Sequence, residues 1–144
     1  MSIIFSRQCE YALQAVSYLA LQPKGKLVSI KELTERLKIP YHFLGKILQE
    51  LAQKQILISH KGHNGGFALA ASPEKITLYT IIEAIDGTDF KHRCAMGFSE
   101  CSSKIPCAMH DQWEKSRNEI IGLLAGTNIT TMATSIKRPE YNSM

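Results

Sequence analysis

The stretch SIKELTERLKIPYHFLGKILQEL, residues 29–51, decides the fold. Ser29 and Glu32 stand three apart ahead of an apolar run. A serine oxygen there can accept from the Glu32 N–H while the glutamate reaches back, which starts a helix. Ile30, Leu33 and Leu37 share one face of that helix. Pro40 then predicts a break and a new start, because its missing N–H does no harm in the first turn of a third helix. Leu44, Ile47, Leu48 and Leu51 follow at helical spacing, and the opposite face offers Tyr41, His42, Gly45, Lys46 and Gln49. Two short helices around a tight turn, the second with a polar and cationic face, describe a helix-turn-helix.

Downstream, Gln55–Lys61, the glycine-rich Gly62–Gly66 and Phe67–Leu69 read as strand, tip and strand. A hairpin directly after a recognition helix is a wing. Its tip carries Lys61, His60 and His63, where a minor groove can receive them. The glycines permit a tight turn, and neither Gly-x-Gly-x-x-Gly nor Gly-Lys-Ser/Thr is present, so no nucleotide loop is expected. Upstream, Ala12, Ala15, Val16 and Leu19 mark a first helix from Ser6 to Leu21, closed by a turn over Pro23–Lys26. Thr77 caps a helix over Leu78, Ile81, Ile82 and Ile85 that ends at Asp86-Gly87. Between Thr88 and Pro106 periodicity is lost. Trp113, Arg117, Ile120, Ile121 and Leu124 then keep a stripe along a helix ending at Gly126, which reads as an oligomerisation element.

The expected fold is mainly α with a small β wing. A winged helix-turn-helix domain (residues 1–87) is followed by a cysteine-rich loop (88–109), a long C-terminal dimerisation helix (110–126) and a C-terminal tail (127–144), polar and expected to be mobile from Lys137 to Met144. A chain of 144 residues has room for one such core. No apolar run approaches the ~20 residues of a membrane helix, and no secretory signal opens the chain, so a cytoplasmic protein is expected. The net charge of +4 is uneven: residues 1–67 hold nine Lys and Arg against four Asp and Glu, and the remainder eight against nine. Cations gathered in the helix-turn-helix half suit a phosphate backbone.

Cys94, Cys101 and Cys107 cluster in the loop with the spacing C-x6-C-x5-C-x2-H, ending on His110. In a reducing compartment such a cluster points to metal or redox chemistry. The paired C-x2-C knuckles of zinc ribbons are missing. Three thiolates on a flexible loop can instead wrap an iron–sulfur cluster. A fourth donor must come from elsewhere: His110 is nearest in sequence, and Glu10 and Cys9 on the first helix are further candidates. For a lone helical cysteine such as Cys9, burial as a small side chain is the ordinary role.

The opening Ser6–Leu13, the segment Pro40–Leu51, the wing Lys61–Phe67 and the three-cysteine loop before a long helix together resemble the bacterial winged-helix regulators that include IscR, NsrR and RirA, many of which carry iron–sulfur clusters. The resemblance covers nearly the whole chain. It implies a homodimer with crossing C-terminal helices, and operator DNA bound through the third helix and the wing. It also implies that Cys94, Cys101 and Cys107 are the three thiolate ligands of a 2Fe–2S or 4Fe–4S cluster. His110 falls where IscR-like members supply a histidine, and Glu10 where NsrR-like members supply a carboxylate from the other subunit. The gap from Cys94 to Cys101 is one residue longer than is usual there.

The expectation is therefore a transcriptional repressor, not an enzyme, whose cluster state sets its grip on a double-stranded operator. Tyr41, His42, Lys46 and Gln49 would face bases or phosphates, and Lys61 and His63 the minor groove. A structural zinc site, a cluster-free thiol switch and a small cysteine-dependent oxidoreductase are the competing readings. The five histidines form no recognisable nucleophile motif, which disfavours the oxidoreductase.

Overall fold

The computed structural model describes residues 5–98 and 102–135. In chain order it contains α1 (Arg7–Ala20), α2 (Ile30–Leu37), α3 (Tyr41–Gln53), β1 (Leu57–His60), β2 (Gly66–Leu69), α4 (Leu78–Asp86), α5 (His110–Gly126) and α6 (Ile129–Ser135), with 3-10 turns at Pro73–Lys75 and Asp89–Lys91. The mainly α architecture with a two-stranded wing is the one expected. No helix among the described residues is long and apolar enough to cross a membrane.

Local chemistry explains the starts and stops. The Ser29 hydroxyl accepts from the Glu32 N–H at 3.1 Å, as its position demands. The reciprocal arm goes elsewhere: the Glu32 carboxylate accepts from the Tyr18 hydroxyl at 2.9 Å, which stitches α2 to α1. Helix α2 closes on Lys38, whose φ of 57° is left-handed. Pro40 stands one residue ahead of the expected place, as the N-cap of α3. Ser6 caps α1 by accepting from the Cys9 N–H at 3.1 Å. Both its N–H and its hydroxyl donate to the Asp86 carboxylate, fastening the start of α1 to the end of α4.

The wing is antiparallel, with Leu57 opposite Leu69 and His60 opposite Gly66. It gains a further bridge from outside the hairpin. Val28 and Phe67 exchange backbone hydrogen bonds of 2.9 and 2.8 Å, so the residue before the α2 cap is part of the sheet. Gly66 permits this approach, since a Cβ there would lie 2.5 Å from the Val28 carbonyl oxygen.

The core gathers Val16, Tyr18, Leu33, Leu44, Leu48, Leu51 and Ile81 from the first four helices, all essentially without solvent contact. Each such apolar side chain contributes roughly 1.5–3 kcal/mol. Ile129 of α6 completes it, fully buried, and its N–H donates to the Ile76 carbonyl at 2.8 Å. Part of the segment read as a tail is thus a docked helix; residues 136–144 lie outside the described residues. On α5 the buried positions are His110, Arg117 and Leu124, a narrower stripe than the sequence suggested, while Leu123 is exposed.

Candidate functional site

Helix α3 turns Leu44, Ile47, Leu48 and Leu51 into the core. That leaves Tyr41, His42, Lys46 and Gln49 exposed on its outer side. The Tyr41 and His42 rings meet edge to face at 6.2 Å. Phe43 is also 54% exposed, which sequence reasoning passed over because an aromatic residue among core leucines reads as core. At the wing tip His60, Lys61 and His63 are exposed, and the Gly65 N–H donates to the Gly62 carbonyl at 3.0 Å to close the turn. Among the described residues no carboxylate pairs with Lys46 or Lys61. The outer side of α3 and the tip are free to meet phosphates.

The second constellation is the cysteine loop. Cys94 and Cys107 come together with their sulfur atoms 3.8 Å apart. The Met96 N–H donates to Cys94 Sγ at 3.4 Å. That bond is the main cause drawing the Cys94 thiol below its ordinary value of 9.0; burial opposes it, and the Phe98 and Gly97 amides and the Cys107 thiol assist. A positive φ of 82° at Gly97 lets the chain curl so that successive amides face one sulfur. Cys101 lies outside the described residues.

The donor pair passes a simple metric test for metal ligation. Two sulfurs each about 2.3 Å from one tetrahedral metal lie about 3.8 Å apart, whereas a disulfide would need about 2.05 Å. Two cysteine sulfurs at that separation, one of them facing backbone amides, fit a thiolate-ligated metal centre. Among the described residues, no third Cys, His, Asp or Glu joins them in a metal-sized group. His110 opens α5 and is buried, with Nε2 3.5 Å from the Glu114 carboxylate. Glu10, half-buried on α1, sits 3.9 Å from Arg7. Cys9 is a buried core thiol packed by Ile82 and Leu124, and burial pushes it up to about 12.

Helix α5 positions the loop from beneath. The Trp113 indole donates to the Arg93 carbonyl at 2.7 Å, and the Arg117 guanidinium reaches the same oxygen at 3.4 Å. Phe90 packs edge-on to Trp113 at 6.3 Å, and the His110 N–H donates to the Cys107 carbonyl at 3.1 Å. Trp113 and Arg117 were legible only as members of an apolar stripe. Their polar ends hold the residue before Cys94, a role no periodicity reveals.

Comparison with known proteins agrees with the winged helix-turn-helix fold. Residues 5–135 match the family model Rrf2, described as an iron-dependent transcriptional regulator. The chain is 39% identical over 130 residues to an HTH-type transcriptional regulator of Aquifex aeolicus (strain VF5), covering 88% of this chain and 89% of that one. Identity to the HTH-type transcriptional regulator NsrR of Shouchella clausii is also 39%, over 74 residues that cover 51% of this chain and 50% of the relative. The solved structure of CymR, the global cysteine regulator of B. subtilis, superposes with a TM-score of 0.79 over 94% of this chain and 99% of that one; at 21% identity this is a likeness of fold. With the helix-turn-helix, the wing and the long α5 all in place, the chain belongs to the Rrf2 family of DNA-binding transcriptional regulators and is not an enzyme.

Proposed function

We propose that this protein acts in the cytoplasm as a homodimeric repressor, and that an iron–sulfur cluster held by Cys94, Cys101 and Cys107 sets its affinity for a double-stranded operator. The observation that carries this reading is the Cys94–Cys107 pair, 3.8 Å apart with backbone amides turned toward Cys94 Sγ. His110 and Glu10 are the candidates for the remaining ligand of a 2Fe–2S or 4Fe–4S cluster. When bound, such a group supplies a change of charge and oxidation state that responds to its surroundings.

The chain's own residues carry that change outward. The loop hangs on α5 through the Arg93 carbonyl, and α5 offers the exposed Leu123 to a second copy. Tyr41, His42, Lys46 and Gln49 engage one major groove per protomer, with Lys61 and His63 in the adjoining minor groove. Half-sites in successive major grooves lie ~34 Å apart, so a small change in how two copies cross alters the match. A coupling of about 1–3 kcal/mol changes operator affinity roughly 5- to 150-fold.

The test is anaerobic purification with iron and sulfide analysis, followed by mobility shifts of matched cluster-loaded and cluster-free protein on duplexes enriched from random DNA. Loaded protein is expected to be brown and to bind with a different affinity. A pale preparation lacking sulfide, gripping the same duplex equally after chelation, overturns the reading.

One observation favours a second reading. Cys94 has a lowered pKa and faces Cys107, the arrangement of an attacking thiolate beside its resolving partner. Peroxide could take two electrons from the pair and close a disulfide, releasing water. A loss of two hydrogens by mass in iron-free protein, reversed by dithiothreitol together with the DNA affinity, distinguishes this outcome.

A further inference from the structure

Among the described residues Arg117 is the only Asp, Glu, Lys or Arg that the fold buries, at 6% exposure. Its guanidinium makes one long hydrogen bond, 3.4 Å to the Arg93 carbonyl, and its Nε has no partner. No described carboxylate pairs with it: Glu83 engages Lys91, Glu114 engages His110 and Asp86 engages Ser6. A guanidinium has five donors and a charge that it cannot shed. Buried with one weak bond, it carries a desolvation cost that nothing among the described residues offsets. Such a cation calls for an anion.

Its direction says where. The Arg93 carbonyl belongs to the peptide that leads into Cys94, and Trp113 fixes that peptide from the same helix. The side chain is therefore held against the first residue of the cysteine loop rather than turned to solvent. Thiols bind a metal as thiolates, so neutral S–H groups at this loop become anionic sulfur donors when the centre forms. We infer that Arg117 is the counter-charge of the thiolate centre: it offsets the charge of ligated Cys94 and Cys107 and lets α5 sense whether that charge is present. This rests on the metal-centre reading of the cysteine loop given above. The alternative source of an anion is a carboxylate from a second copy of the chain.

The full chain carrying Arg117→Met, which keeps an apolar stem and removes the charge, is compared with Arg117→Lys, which keeps the charge. Three readouts are needed: thermal unfolding of metal-free protein, loss of iron and sulfide to a chelator, and affinity of the metal-free protein for Zn²⁺ alone. Arg117→Met is expected to melt no lower than wild type when metal-free, since an uncompensated buried cation has gone. The same variant should release its centre, and bind Zn²⁺, with a defect of about tenfold or more, the size seen when supporting partners of metal ligands are removed. Arg117→Lys should fall within about threefold of wild type on both metal measurements.

Equal destabilisation of the metal-free and loaded forms by Arg117→Met would make it a packing residue and overturn the inference. So would normal metal retention accompanied by loss of the dimer, which would assign Arg117 to a partner's carboxylate. If wild-type protein takes up no iron or sulfide yet its Zn²⁺ affinity depends on Arg117, the counter-charge stands and the iron–sulfur reading falls. If the cluster forms and is indifferent to Arg117, the reverse holds.

Discussion

The Trp113 indole N–H donates to the Arg93 carbonyl across 2.7 Å, joining the helix that follows the cysteine loop to the residue that precedes it. Trp113 is the single tryptophan of the chain, so its emission reports on that junction alone. Loading the loop with iron and sulfide is expected to quench or shift the emission. Trp113→Phe keeps a ring against Phe90 but loses the donor, and should release the centre to a chelator faster, by about tenfold. Unchanged release would show that the hydrogen bond does not hold the loop.

Gly45 and Gly66 should respond to alanine with opposite signs. Gly45 lies inside α3, and a Cβ there would meet nothing nearer than Ile30 Cδ1 at 4.0 Å. Gly45→Ala is expected to stabilise by about 0.5–1 kcal/mol through reduced backbone entropy of the unfolded chain. At Gly66 the same change drives a methyl group to 2.5 Å from the Val28 carbonyl oxygen, and a loss of about 2–3 kcal/mol is expected. Urea unfolding midpoints measure both.

Cys9 makes stability sensitive to alkali. Burial, helped by the carboxylates of Asp86 and Glu10, raises its thiol from 9.0 to about 12. As pH climbs past 9.0 the unfolded chain releases this proton while the folded chain retains it. The contribution is thus complete below that pH and drains away until about 12. Unfolding free energies measured on either side of pH 9.0 should show a flatter decline for Cys9→Ala than for wild type. An identical decline would deny the thiol this role.

Lys46 on α3 and Lys61 at the wing tip stand exposed, with no carboxylate partner among the described residues. Replacing either by alanine should weaken duplex binding and reduce the slope of log affinity against log salt by about one. Lys115, exposed on α5, serves as the comparison and should leave the slope unaltered. If Lys46→Ala and Lys115→Ala behave alike, α3 is not the reading helix.

The helix-turn-helix was legible because its signals are local. Ser29 caps α2, and the spacing of Leu44, Ile47, Leu48 and Leu51 survives intact in the core. Less legible were features that need a distant partner. The Glu32 carboxylate was expected to complete its own cap, but Tyr18, fourteen residues earlier, takes it. Helix α6 escaped notice because Ile-Thr-Thr is a β-branched run with weak helix preference. Its two signals are subtle: the Asn128 side chain accepts from the Thr131 N–H at 2.8 Å, and Ile129 and Ala133 share one buried face. The cysteine spacing identified Cys94 and Cys107 as candidates. The amides that face Cys94 and the arginine beneath the loop depend on chain curvature, which spacing does not encode.

The rung between Val28 and Phe67 welds the hairpin to the residue preceding the α2 cap. The wing is thereby tied to the start of the helix-turn-helix as well as to the end of α3 that leads into it. A protomer tied in this way is expected to present tip and α3 to a duplex as one stamp. If two copies pair as proposed, tolerance for operators of different length would have to arise where they are mounted side by side.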